Sequence, residues 1–171
     1  MKLPIGKSFI HKIVGGTLGI FFITAAPAKE AEVAPAVGMR KQVTVFTSSR
    51  SDQDTPEFYG NFVSGPIVPC AFYTASESNP WVIVNLGNIQ DIKGLKITNT
   101  QLNANDAIGI TLALSQDGKK WKEIWTSSLP SQNWVIDFKG SVEHAQFIKV
   151  YLKPGRTRPL HLSRIEIMNS K

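Results

Sequence analysis

The sequence predicts an all-β fold, a sandwich or a barrel, and three observations carry that prediction. Short apolar runs, alternating or β-branched, recur through residues 42–168 with Gly, Pro, Asn, Asp and Ser concentrated between them. No stretch keeps a 3.6-residue apolar period between capping residues, so little helix is expected. Cys70 is the only cysteine among 171 residues, so no intrachain disulfide can form and stability has to come from packing. The length suits one domain with a hydrophobic core.

The amino-terminal residues differ from the rest. Lys2, Lys7 and Lys12 precede or border the apolar run "IVGGTLGIFFITAA", Ile13 to Ala26, and no acid occurs before Glu30. At about 14 residues the run is shorter than the roughly 20 a helix needs to cross a bilayer, and it ends in Ala26-Pro27-Ala28, a small-residue processing site. Residues 1–28 therefore read as a secretory signal peptide. The expected location is secreted or periplasmic, with no integral membrane segment in the mature chain. Residues 29–39, "KEAEVAPAVGM", have no apolar period and read as a disordered lead-in to a domain spanning 40–171. Loss of the three lysines lowers the formal net charge from +6 to +3, and the remaining cations are scattered, so no nucleic-acid partner is expected.

Eight strands are expected in order. "QVTVFT" (42–47) alternates. "WVIVNLG" (81–87) is apolar and stops at Gly87, and "IKGLKITNT" (92–100) alternates after Gly94, which marks a candidate bulge. "IGITLALS" (108–115) and "WKEIWTS" (121–127) flank an Asp117-Gly118 pair suited to a hairpin turn. "WVIDF" (134–138), "QFIKVYL" (146–152) and "LHLSRIEIM" (160–168) complete the set. Alternation points Ile148, Val150 and Leu152 inward, with Ile165 and Ile167, and leaves Phe147, Lys149, Tyr151, Arg164, Glu166 and Met168 on outer faces. The connection from Phe46 to Trp81 is long for a compact domain, so a turn of helix or a short strand is expected inside it.

The succession "NPWVIVNLG", "IKGLKITNT", "LALSQDGKKWKEI", "AQFIKVYL" and "PLHLSRIEIM" resembles the discoidin domain, also called the coagulation factor five/eight type C domain, and its relatives among bacterial carbohydrate-binding modules. The resemblance covers roughly residues 79–168 and, more loosely, 42–78. It implies an eight-stranded antiparallel jelly-roll β-sandwich of the galactose-binding-like type. It also implies that Trp81 and Trp121 are scaffold, with Trp125 on the same strand face as Trp121, and that Trp134 is the tryptophan most open to solvent.

Ligands in this architecture are expected at the loops of one end of the sandwich. Carried over by position, the contact loops are the 47–80 segment and "NTQLNANDA" after the third strand. Asn99, Gln101, Asn103 and Asn105 offer amides that both donate to and accept from sugar hydroxyls. Tyr59, Tyr73 and Trp134 offer faces for a pyranose ring. The loop after the third strand departs from sugar-binding relatives in carrying neither Arg nor His. Basic groups gather instead in "KPGRTRPLH", where Arg156 and Arg158 are candidates for a carboxylate or sulfate clamp.

No cofactor is expected. Calcium is frequent among the bacterial relatives, and Glu166 matches one of their ligands, but one carboxylate is few for an ion that takes six to eight oxygens. No catalytic motif occurs, and no spacing couples Cys70 to His144 or His161 as a nucleophile and base. The expected function is a non-enzymatic binding module for a carbohydrate or glycoconjugate. The alternatives are docking to a protein partner through a patch around Trp134, Phe58 and Tyr59, and binding to an anionic membrane surface.

Overall fold

A computed structural model describes residues 43–101 and 104–169. The expected signal peptide and lead-in, and Asn103, lie outside the described residues. Eight strands form an antiparallel β-sandwich: β1 (Thr44–Thr47), β2 (Phe72–Tyr73), β3 (Trp81–Asn99), β4 (Ile110–Ser115), β5 (Lys122–Thr126), β6 (Asn133–Asp137), β7 (Glu143–Leu152) and β8 (His161–Asn169). Two 3₁₀ turns, Pro56–Phe62 and Ala104–Ala107, account for the helix.

Strand β3 organises the sandwich, and here the expected strand list needs correction. The two strands read at 81–87 and 92–100 are one bent strand of 19 residues. Its first part pairs with β1 and β7 (Val84 opposite Val45 and Ile148), and its last part pairs with β6 and β8 (Ile97 opposite Trp134 and Ile165). Gly87 did not end the strand. Its positive φ of 82° allows an irregularity in which Leu86 to Ile89 oppose Gln146 alone. A second irregularity leaves Lys93 unmatched beside Gly94 in the pairing with β8. The strand count is kept by β2, which forms inside the long connection together with the first 3₁₀ turn.

Alternation buries the faces it predicts. Ile148, Val150 and Leu152 of β7 pack with Leu112 and Leu114 of β4, Val82 and Val84 of β3, and Ile165 of β8 in one core. On the outer face Lys149 sits over Tyr151, Trp121 and Trp81, its Nζ 4.9, 5.7 and 5.9 Å from the three ring centroids. The shared face expected for Trp121 and Trp125 is not observed. The β4–β5 pairing shifts between Leu112 and Ala113, so Leu112 opposes Trp125 and Ala113 opposes Glu123. The residue left over, Ile124, reverses the alternation. Trp125 turns inward to Trp134, with centroids 6.1 Å apart.

Candidate functional site

Strand register brings four connections to one end of the sandwich. Asn99 opposes Leu162, Ile110 opposes Leu152, Thr98 opposes Asn133, and Leu152 N–H donates to Pro80 O at 3.0 Å. The connections 48–80, 99–109, 127–132 and 153–160 therefore share that end.

The first of these is held by two acids. Asp54, its side chain almost wholly buried, accepts from Tyr73 N–H at 2.8 Å and from Tyr59 O–H at 2.7 Å. Glu77 accepts from the hydroxyls of Ser48 and Ser49. Asp54 thereby supplies the Tyr73 N–H with an acceptor, and Glu77 ties the two serines after β1 to the end of the connection. Tyr59 is thereby a brace: its hydroxyl is also 3.1 Å from Thr47 Oγ1, and the Arg50 guanidinium covers its ring at 5.4 Å.

Tyr73 is placed differently. It pairs with His161 across β2 and β8, and the two rings stack at 4.6 Å with planes 10° apart. His161 is buried, with its Nε2 3.3 Å from Asp106 Oδ2 in the second 3₁₀ turn. Burial holds the imidazole below its ordinary value, and the hydrogen bond and charge of Asp106 act in the opposite direction. A neutral imidazole facing an acceptor-only carboxylate carries its proton on Nε2, which donates, and Nδ1 is left buried without a partner.

Arg158 is fixed from the other side. Its backbone N–H donates to Glu77 O at 3.1 Å and its carbonyl accepts from Glu77 N–H at 3.3 Å. Its guanidinium lies over Gly109, Nη2 standing 3.7 Å from where a Cβ would be. Burial and the nearby Arg156 disfavour its charge, while Asp106 favours it. Tyr73, His161, Asp106, Arg158 and Arg156 thus form one cluster.

Beside it, at the same end, a groove of about 370 Å³ is lined by Ile67, Val68 and Pro69, by Gln101 and Gln132, and by Thr98, Asn99, Asn133 and Ser163. Gln101 is exposed there, and Asn105 is exposed beside Asp106. Two candidates are not on the surface. Asn99 is buried and its amide is committed within the chain: Nδ2 donates to Ala104 O at 3.1 Å and Ser131 O at 3.0 Å, and Oδ1 accepts from Thr100 N–H at 2.9 Å. Trp134, 8% exposed, belongs to the core because it faces inward opposite Ile97. Glu166 lies down the outer face of β8, 3.3 Å from Lys96 directly across the pair. Among the described residues no three His, Cys, Asp or Glu side chains converge on a point that could hold a metal ion.

In the sequence His161 belongs both to the basic stretch and to the last strand, and Asp106 stands among the polar residues of "NTQLNANDA". Neither is singled out there as a contact residue, because nothing local distinguishes Asp106 from Asn105 or shows that His161 faces it.

Residues 49–167 match the F5/8 type C domain. The chain belongs to the F5/8 type C domain family. Among curated proteins none matches it in sequence. Solved structures resemble this F5/8 type C domain at low identity. A fucose-binding module of Streptococcus pneumoniae is 19% identical, with 74% of this chain and 91% of that one covered at a TM-score of 0.63. The lectin domain of lectinolysin, solved with Lewis b antigen, is 22% identical over 77% of this chain and 94% of its own, TM-score 0.63. A fucolectin from striped bass (Morone saxatilis) serum is 19% identical over 75% of this chain and 47% of its own, TM-score 0.65. These likenesses establish the fold of this F5/8 type C domain.

Proposed function

We propose that the chain is a non-catalytic, extracytoplasmic glycan-binding module whose ligand sits at the loop end, against Tyr73, Asp106 and Arg158. The observation that carries this reading is the stacked Tyr73–His161 pair, with Asp106 and Arg158 beside it. A rigid aromatic face, a carboxylate acceptor and a guanidinium donor are the complement of a pyranose ring with its hydroxyls. Structural relatives described as fucose-binding and Lewis b-binding modules support it. Three groups with reactive side chains in the long connection, Cys70, Asp54 and Glu77, are engaged in holding the chain. The Cys70 thiol donates to Phe72 O at 2.9 Å and burial pushes its pKa to about 11, so it is not a thiolate. Asp54 and Glu77 are held by hydrogen bonds that order the chain.

The test is a thermal-melt screen of the chain against mono- and oligosaccharides, with and without calcium. A ligand at about 100 times its dissociation constant adds about 2.7 kcal/mol, which raises the melting temperature by several degrees. A sugar-dependent rise that is lost in Y73A supports the reading; no rise with any sugar class removes it. A rise with calcium alone that is lost in E166Q would assign a metal site to Glu166.

One observation favours a second reading, binding to an anionic membrane surface. Ile67 and Leu129, 62% and 71% exposed, project at the loop end that also carries Arg156 and Arg158. Co-sedimentation with phosphatidylserine vesicles, lost in I67S/L129S, would support it. The protein-docking alternative loses Trp134 from its expected patch, because that residue is interior, and keeps Phe58, which is exposed.

A further inference from the structure

We propose that the glycan carries a negative charge, a carboxylate or sulfate, and that Arg158 and Arg156 hold that group while Asp106 takes a hydroxyl of the same sugar. This deepens the glycan-binding reading and rests on it.

The cations of the β7–β8 connection are unequally matched. The Lys153 ammonium is 2.8 Å from Glu123 Oε2. Arg156 and Arg158 have no acid within ion-pair distance among the described residues, although Arg158 is partly buried and lies near Arg156. The nearest acid along the bridge, Glu77, spends its carboxylate on Ser48 and Ser49. Asp106 is turned to His161. A partly buried guanidinium beside a second one, with Asp106 near it but no acid within ion-pair distance, is a site that an anion completes, and the planar fork of arginine matches a carboxylate or sulfate.

The same corner contains an acceptor. One oxygen of Asp106 faces His161 Nε2, and its carboxylate is 30% exposed, so it can take a hydroxyl proton donor from outside. A ligand meeting both requirements carries an anionic group and a donating hydroxyl on one rigid frame. An acidic sugar does so, and Tyr73 supplies a ring face for it. A simple inorganic anion satisfies the arginines only.

The experiment is calorimetric titration of the full chain with sugars that differ at one substituent, neutral in one member and anionic in the other: galactose against galacturonate, and N-acetylglucosamine against its 6-sulfate. A charge-assisted pair predicts that the preferred acidic member binds about tenfold tighter than its neutral partner. R158Q should erase that preference by weakening the acidic member about tenfold more than the neutral one. R156Q, at an exposed position where the fold is not at risk, should reduce the preference, and R158K should restore only part of it because a single ammonium lacks the fork. Equal affinity for neutral and acidic members, or an equal loss of both in R158Q, overturns the inference and leaves the glycan reading intact. No sugar binding of either kind overturns both. Binding of inorganic sulfate or phosphatidylserine vesicles without any sugar does the same, and assigns the arginines to another anion.

Discussion

Tyr73 lies flat on His161, centroid to centroid at 4.6 Å, though 88 positions separate them in the chain. The stack joins an edge strand formed inside a long connection to the first residue of the last strand. Asp54 holds Tyr73 by its backbone and Asp106 meets His161 at the ring, so the aromatic surface is set from both sides.

Replacing that surface should be visible in affinity. Y73A is expected to weaken sugar binding about tenfold, since the ring gives both contact area and stacking. H161F, which keeps a ring under Tyr73 and removes the bond to Asp106, should weaken it less. Calorimetry on both variants, with folding followed by circular dichroism, checks the order.

The buried imidazole also makes stability depend on pH. In the folded chain His161 titrates below its ordinary 6.5, whereas the unfolded chain titrates at that value, so between the two the unfolded state binds more protons. Its contribution is complete above about 6.5 and is lost as pH falls through the folded value. Melting temperatures measured from pH 8 down to 5 should fall, and the fall should be smaller in H161F.

A second titration belongs to the β4–β5 hairpin. Asp117 accepts from the backbone N–H of Lys120 at 2.9 Å and of Lys119 at 2.8 Å, and these bonds hold its pKa down at about 2. This stabilisation is present above the ordinary carboxylate value and is lost as pH falls towards 2. D117N should flatten acid unfolding in that range, and D117A should lower the melting temperature at neutral pH.

At Gly94 three strands meet, since it pairs with Asp137 of β6 and Met168 of β8. A Cβ there would stand 2.5 Å from Ile136 O and would also strike Met168 Cε, and the first of these is backbone that cannot step aside. G94A is expected to cost about 3 kcal/mol in urea denaturation, at the upper end for overpacking.

Trp134 provides the opposite control. As an interior residue packed on Trp125, it should cost about 4 kcal/mol when cut to alanine. W134F should keep sugar affinity unchanged, which would separate it from Tyr73 in a single assay.

Much of this architecture was legible because alternation is a local property. The inward set of β7 and Ile165 of β8 follow from a period of two. The Asp117-Gly118 turn follows from a dipeptide, and Gly118 adopts the positive φ of 72° that the turn asks of it. The irregular places were harder. Gly87 reads as a stop, yet the chain continues through it because Val84 and Leu95 bury into one core from two pairings. Trp125 reads as sharing a strand face with Trp121, and one unmatched residue, Ile124, separates the two.

The sequence by itself determined the fold class, most strands and the faces they bury, since each rests on neighbours two residues apart. Only the tertiary structure decided that β3 is continuous, that Asn99 and Trp134 are interior, and that Tyr73, His161, Asp106 and Arg158 meet. Those residues come from three separate connections and the first residue of β8, and strand register, which local chemistry does not encode, sets the distances between them.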